Sequence, residues 1–154
     1  MIRFPFKTGP PIEIGDSYNS AERQLRSLER RLNADERLAT EYRAFIEEYE
    51  RLGHLKRVPP DANASSQSVY IPHRPVIRES STTTRLRVVF NASNPTSNGT
   101  SLNDHLLTGQ KLQTDLSAVL LRWLLPRYVY SADITKMYRQ IEIDLRDVDY
   151  QRIL

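Results

Sequence analysis

An α+β fold is predicted for this chain on three observations. Residues 20–52 carry apolar side chains at helical spacing, and residues 69–90 hold two extended runs about a polar tip. The element order then mixes helices with hairpins where a regular βαβ repeat would alternate them. The chain has 154 residues, of which 39% are hydrophobic, so it has room for one domain with a modest core, or a small domain plus an appendage. We expect an extended lead-in over 1–18, a helical linker over 19–58 and a third part over 59–154.

Met1 to Ser17 contains Pro5, Gly9, Pro10, Pro11 and Gly15 and is predicted to be extended and unpacked. A helix is expected after Asn19, with Glu22 three residues on in a capping-box arrangement. Ala21, Leu25, Leu28 and Leu32 form its apolar stripe. Asn33 reads as a second cap with Glu36, ahead of a stripe of Leu38, Tyr42, Phe45, Tyr49 and Leu52, and Gly53 is placed to stop that helix. Two helices, or one kinked helix, fill the region, and the opposite faces alternate Arg and Glu as a solvated surface does.

Residues 59–68 form a loop or linker. Val69–Arg78 carries Pro72 and Pro75, which restrict it to an edge strand, and Leu86–Phe90 is a second strand by β-branched content. Glu79–Thr84 is the polar tip between them, with Arg78, Arg85 and Arg87 close by. Asn91–Gly99 is a turn-rich loop, Leu102–Leu107 a helical turn, and residues 114–125 an apolar helix with Pro126 as its stop and Trp123 in a core. Three strands are expected near the end: Tyr128–Ala132, Ile141–Ile143 and one beginning at Tyr150, with an acidic turn over Asp144–Asp149.

The chemistry narrows by exclusion first. With no cysteine, a disulfide framework, a thiol nucleophile and a thiolate zinc site are excluded. His54, His73 and His105 are too scattered for a metal cluster. No P-loop, dinucleotide fingerprint or nucleophile elbow is present. No apolar run is long enough to span a bilayer and no signal peptide opens the chain, so no membrane partner and an intracellular setting are expected. The net charge of +3 is a weak pointer to nucleic acid. The excess of Arg over Lys suits planar recognition of phosphate, and equally suits a coding bias.

Residues 128–141, Tyr-Val-Tyr-Ser-Ala-Asp-Ile-Thr-Lys-Met-Tyr-Arg-Gln-Ile, concentrate the remaining signal. Asp133 falls where a strand ends. It suits either a metal-binding acid or the N-cap of a following helix. Tyr138 suits either a core ring or a ring beside a sugar. Arg78, Arg85 and Arg87 suit either a solvated face or a basic hairpin over a phosphate backbone.

Ser131-Ala132-Asp133-Ile134-Thr135-Lys136-Met137-Tyr138-Arg139-Gln140-Ile141 resembles the first catalytic motif of retroelement reverse transcriptases. Tyr70-Ile71-Pro72-His73, Val76 to Thr84 and Leu86 to Ser93 resemble the fingers hairpin of the BEL/Pao class of LTR retrotransposons. Ser101-Leu102-Asn103-Asp104, the Leu106–Gln113 pattern, Leu25–Leu32 and Phe4-Pro5-Phe6-Lys7 are similar to the same family. The resemblance implies an incomplete reverse-transcriptase fingers and palm over 59–154, preceded by a helical linker. The activity it implies for the parent is RNA-directed DNA synthesis by a two-metal mechanism using Mg²⁺, a primer–template of RNA or DNA, and deoxynucleoside triphosphates.

Carried over by position, Asp133 would be the first metal-binding aspartate, with the carbonyl of Ile134 as a second ligand. Tyr138 would be the steric gate against a 2′-hydroxyl. Arg87 would contact the triphosphate, and Arg78 would stand where the family usually has Lys. Asn91 stands where the family usually has Asp. Arg85 is added as a contact to the nucleic-acid backbone. The family's further aspartates lie in a Tyr-x-Asp-Asp turn that is absent here and is expected beyond Leu154. The expected product is therefore a piece inactive alone, prone to self-association through exposed strand edges, and located in the cytoplasm, a virus-like particle or the nucleus. Two other readings stand beside it: a non-catalytic nucleic-acid-binding remnant, and a helical interaction module at residues 20–52.

Overall fold

The computed structural model describes residues 1–59, 67–80 and 85–154. It is a mixed α and β structure: two packed helices, a two-stranded antiparallel sheet, and a third helix with no buried residue. The expected loop at 59–68 and the hairpin tip at 79–84 lie partly outside the described residues.

Helices α1 (Tyr18–Ala34) and α2 (Glu36–Arg51) follow the two apolar stripes. Both caps sit elsewhere than the sequence suggests. Ser17, not Asn19, precedes α1, because Asp16 already supplies acceptors there. Its Oδ1 accepts the Tyr18 N–H at 3.0 Å and its Oδ2 the Asn19 side-chain amide at 2.6 Å. Those bonds, the Tyr18 one foremost, hold the Asp16 carboxyl below its usual range. Ser17 is buried and its hydroxyl accepts the Tyr70 N–H at 2.9 Å, which ties α1 to the segment before the sheet. Asn33 lies inside α1, and the cap of α2 is Asp35, whose carboxylate accepts the Leu38 N–H at 2.9 Å.

The end of α2 follows expectation. Gly53 adopts φ +74°, its N–H bonds the Glu50 carbonyl at 3.0 Å, and the His54 N–H reaches back to Tyr49 at 2.9 Å. This pair of bonds is the Schellman closure that a left-handed glycine permits.

Strands β1 (His73–Ile77) and β2 (Leu86–Phe90) pair antiparallel, with His73 opposite Phe90, Pro75 opposite Val88 and Ile77 opposite Leu86. Those residues form the inner face. Leu86 and Val88 pack with Leu28 of α1 and with Leu38 and Tyr42 of α2 in one apolar cluster. The helical pair therefore closes the hairpin's inner face and is no free-standing spacer. Arg74 and Arg87 alternate outward and are exposed.

A second cluster corrects the reading of residues 1–17 as unpacked. Ile12, Val69, Ile71, Leu102 and Tyr150 are buried together, with Phe4, Phe6 and Ile14 against them. The lead-in bends at Lys7–Thr8 and Pro10–Pro11, and its apolar side chains reach the core. Its backbone makes isolated ladder contacts: Ile2 beside Ile143, Phe6 beside Leu106. Gly15 is required by a close approach, since a Cβ there would stand 2.6 Å from the Asn98 nitrogen.

The late elements differ most from expectation. The turn at Leu102–His105 forms, with Ser101 and Asp104 in a capping box. Helix α3 (Leu116–Trp123) forms ahead of Pro126, but none of it is buried and Trp123 is 44% exposed, so Trp123 is not a core residue. Residues 128–132 are exposed and join no strand among the described residues. A strand needs a neighbour for its ladder, and alternation within the segment cannot supply one. Ile141–Ile143 is reduced to a single bridge at Ile143, and Tyr150 begins no strand: it lies in a short 3-10 turn, Val148–Gln151. Arg152 then bridges Tyr70 in parallel fashion, with Ile71 N–H to the Arg152 carbonyl at 2.7 Å.

Candidate nucleic-acid interface

The sequence-predicted residues fall into two groups. Arg78 and Arg87 lie on or beside the outer hairpin face and are exposed. Among the described residues no carboxylate pairs with either of them or with Arg74. The outer face thus carries three guanidinium groups with open donors. Arg85 differs. Its guanidinium meets Glu41 of α2 at 2.7 and 2.8 Å and Glu79 at 2.8 to 3.2 Å. The two carboxylates, Glu79 foremost, raise its pKa further. Its donors fasten the start of β2 to α2, which leaves it a poorer phosphate contact than Arg87.

Asp133, Ile134 and Tyr138 form the second group, all on one exposed segment, with Ile134 62% and Tyr138 79% exposed. Asp133 caps no helix. The 3-10 turn that follows spans Met137–Gln140 and is preceded by Lys136, which adopts a left-handed φ of 52°. Among the described residues no group of three His, Asp or Glu side chains gathers that could hold a metal ion. One exposed carboxylate and a carbonyl do not fit a pair of magnesium ions, which require several carboxylates on rigid neighbouring strands. No hydrogen bond, ion pair or ring contact joins this group to Arg78 or Arg87 among the described residues.

Two residues that sequence reasoning passed over anchor the segment. Lys136 Nζ lies 2.6 Å from Glu48 Oε1, and the Arg139 guanidinium carbon lies 4.5 Å from the Tyr49 ring centroid and 5.3 Å from that of Phe90. No local signal reveals these contacts, because Lys136 and Glu48 are 88 residues apart.

Phe90 belongs to an aromatic column inside the hairpin. His73 stacks between Tyr42 at 6.0 Å and Phe90 at 5.9 Å, and Tyr49 follows Phe90 at 6.4 Å. Burial pushes the Tyr42 phenol up to about 12 and the His73 imidazole below its usual range. The folded protein therefore resists protonating His73, whereas the unfolded chain accepts a proton near the ordinary value of about 6.5. Stability is full above that value and falls as the pH drops below it, until the folded imidazole titrates. Thermal unfolding at about pH 7.5 and about pH 5 should show this loss in the parent protein. A smaller loss is expected for His73→Phe, and equal losses would refute the assignment.

Comparison with family models, with curated proteins and with solved structures finds no match for this chain. No helix among the described residues is long and apolar enough to cross a membrane.

Proposed function

We propose that this chain is the fingers and first palm segment of a BEL/Pao-type retroelement reverse transcriptase with its preceding helical region. Alone, it binds a primer–template backbone without copying it. The observation that carries this reading is the hairpin register, which turns Arg87 and Arg74 outward, with Arg78 beside them, and leaves all three without a carboxylate partner among the described residues. Unpaired guanidinium groups on a rigid strand pair can follow successive phosphates. In the complete enzyme Arg87 and Arg78 would serve the incoming nucleotide, Tyr138 would exclude the 2′-hydroxyl, and Asp133 with the Ile134 carbonyl would contribute one share of a Mg²⁺ site. The reading of residues 20–52 as an independent interaction module is less favoured, because Leu28, Leu38 and Tyr42 are spent on β2.

The test pairs binding with synthesis. The purified chain should bind a primer–template with an affinity that falls steeply with salt. Arg87→Ala should weaken that binding and lower the salt slope by about one phosphate contact. Primer extension with Mg²⁺ and deoxynucleotides should be absent. Salt-insensitive binding, or templated synthesis by the chain alone, would refute the proposal.

A further inference from the structure

We infer that α2 seats the Asp133 segment, with Glu48 and Tyr49 acting as positioning residues through a two-point clamp on Lys136 and Arg139. At the first point, Lys136 Nζ meets Glu48 Oε1 at 2.6 Å and also lies 5.9 Å from the Tyr49 centroid. At the second, the Arg139 guanidinium carbon lies over Tyr49 at 4.5 Å and over Phe90 at 5.3 Å, so this one side chain touches both α2 and the end of β2. A guanidinium within about 6 Å of two ring centroids is attracted by both quadrupoles.

The surroundings make these contacts decisive. The residues from Arg127 to Gln140 are all exposed. Among the described residues, the ion pairs, side-chain hydrogen bonds and ring contacts that link this stretch to the rest of the molecule all come from Lys136 and Arg139. Lys136 also carries the positive φ of 52° that aims the following turn, a conformation a non-glycine residue keeps only when its surroundings impose it. The hydrogen bond from Lys136, the largest influence on Glu48, holds that carboxyl below its usual range.

The consequence is that α2 is part of the site. It sets where Asp133 and Tyr138 stand relative to the hairpin that bears Arg87. The clamp itself is independent of the polymerase reading; that it positions a metal-binding acid and a steric gate rests on that reading.

The chain has no cysteine, so two introduced thiols can be spin-labelled selectively. With Ala44→Cys on α2 and Ser131→Cys beside Asp133, electron–electron distance measurement should give one narrow distribution, and Tyr49→Phe should preserve it. Tyr49→Leu and Glu48→Lys should each broaden it about twofold or more, and Glu48→Lys combined with Lys136→Glu should narrow it again. If a variant on α2 loses helical signal by circular dichroism, Arg139→Gln and Lys136→Gln remove the same contacts from the other side. A broad distribution in the parent protein, an unchanged width in the single variants, or a charge swap that stays as broad as Glu48→Lys would overturn the clamp. The measurement uses neither metal nor nucleic acid. Its failure leaves the polymerase reading standing, and a failure to bind primer–template leaves the clamp standing.

Discussion

Leu38→Ala is expected to destabilise the protein by about 3 kcal/mol, within the roughly 2–5 kcal/mol range for deleting a buried leucine side chain. Leu38 is 1% exposed and sits where α2 meets Leu28 of α1 and Leu86 and Val88 of β2. Three elements converge on it, and each is held by its own backbone bonds, so the void left by truncation cannot collapse. A chain of this size has about 5–15 kcal/mol of total stability, which makes the loss a large share. Urea unfolding should show a lower midpoint with an unchanged slope. Leu38→Met, which nearly conserves volume, should cost less than about 1.5 kcal/mol. If both variants unfold at the parent's midpoint, the helix–hairpin packing described above is wrong.

The second large effect is expected at Asp147. Its side chain is fully buried, and one carboxylate oxygen accepts from Arg3 Nε at 2.7 Å and from the Phe4 N–H at 2.8 Å. Asp147→Ala strands the Phe4 N–H and releases Arg3. Because Arg3 is 40% exposed and regains water, the cost should be about 2 kcal/mol, below the roughly 3–5 kcal/mol of a pair buried on both sides. The pH dependence gives an independent reading. The Arg3 bond, foremost, and the Phe4 N–H hold the Asp147 carboxyl below its usual range against the opposing effect of desolvation. A depressed carboxylate contributes stability that is full above the unfolded value of about 3.9 and is lost as the pH falls through the folded value. Unfolding followed from about pH 5 down to about pH 2 should therefore be less steep in Asp147→Asn than in the parent. Identical profiles would rule out the ion pair as a source of acid lability.

These two residues also mark what a sequence can and cannot disclose. Leu38 was legible because helical periodicity is local: Leu38, Tyr42 and Phe45 repeat on one face whatever they pack against. The hairpin was legible for the same reason, from β-branched runs and the placement of Pro72 and Pro75. In the sequence Asp147 shows only as one acid of an acidic turn, because its partner Arg3 lies 144 positions away and no spacing rule reaches that far. The packed lead-in was hidden by its prolines, which report backbone shape and say nothing of where Phe4, Phe6 and Ile12 point. At the candidate interface, the sequence does not distinguish Arg85 from Arg78 and Arg87, because all three flank the tip. Its pairing with Glu41, 44 residues earlier, separates it from them. The residues that hold the Asp133 segment, Lys136 and Arg139, were written into the motif itself. Their partners on α2 were not.

The long-range ladder contacts have a consequence for the chain while it is being made. The helix–hairpin cluster is complete once Phe90 has emerged from the ribosome. The other cluster waits for Tyr150, and Ile2 waits for Ile143. At a synthesis rate of about 5–20 residues per second, the roughly sixty residues between Phe90 and Tyr150 take about 3–12 s. For that interval Phe4, Phe6 and Ile12 have Val69 and Ile71 to pack on but lack Tyr150, so their cluster stays incomplete. Their competitors are chaperones and neighbouring nascent chains on the same message, so the order of emergence sets the period in which this protein is most open to misassembly.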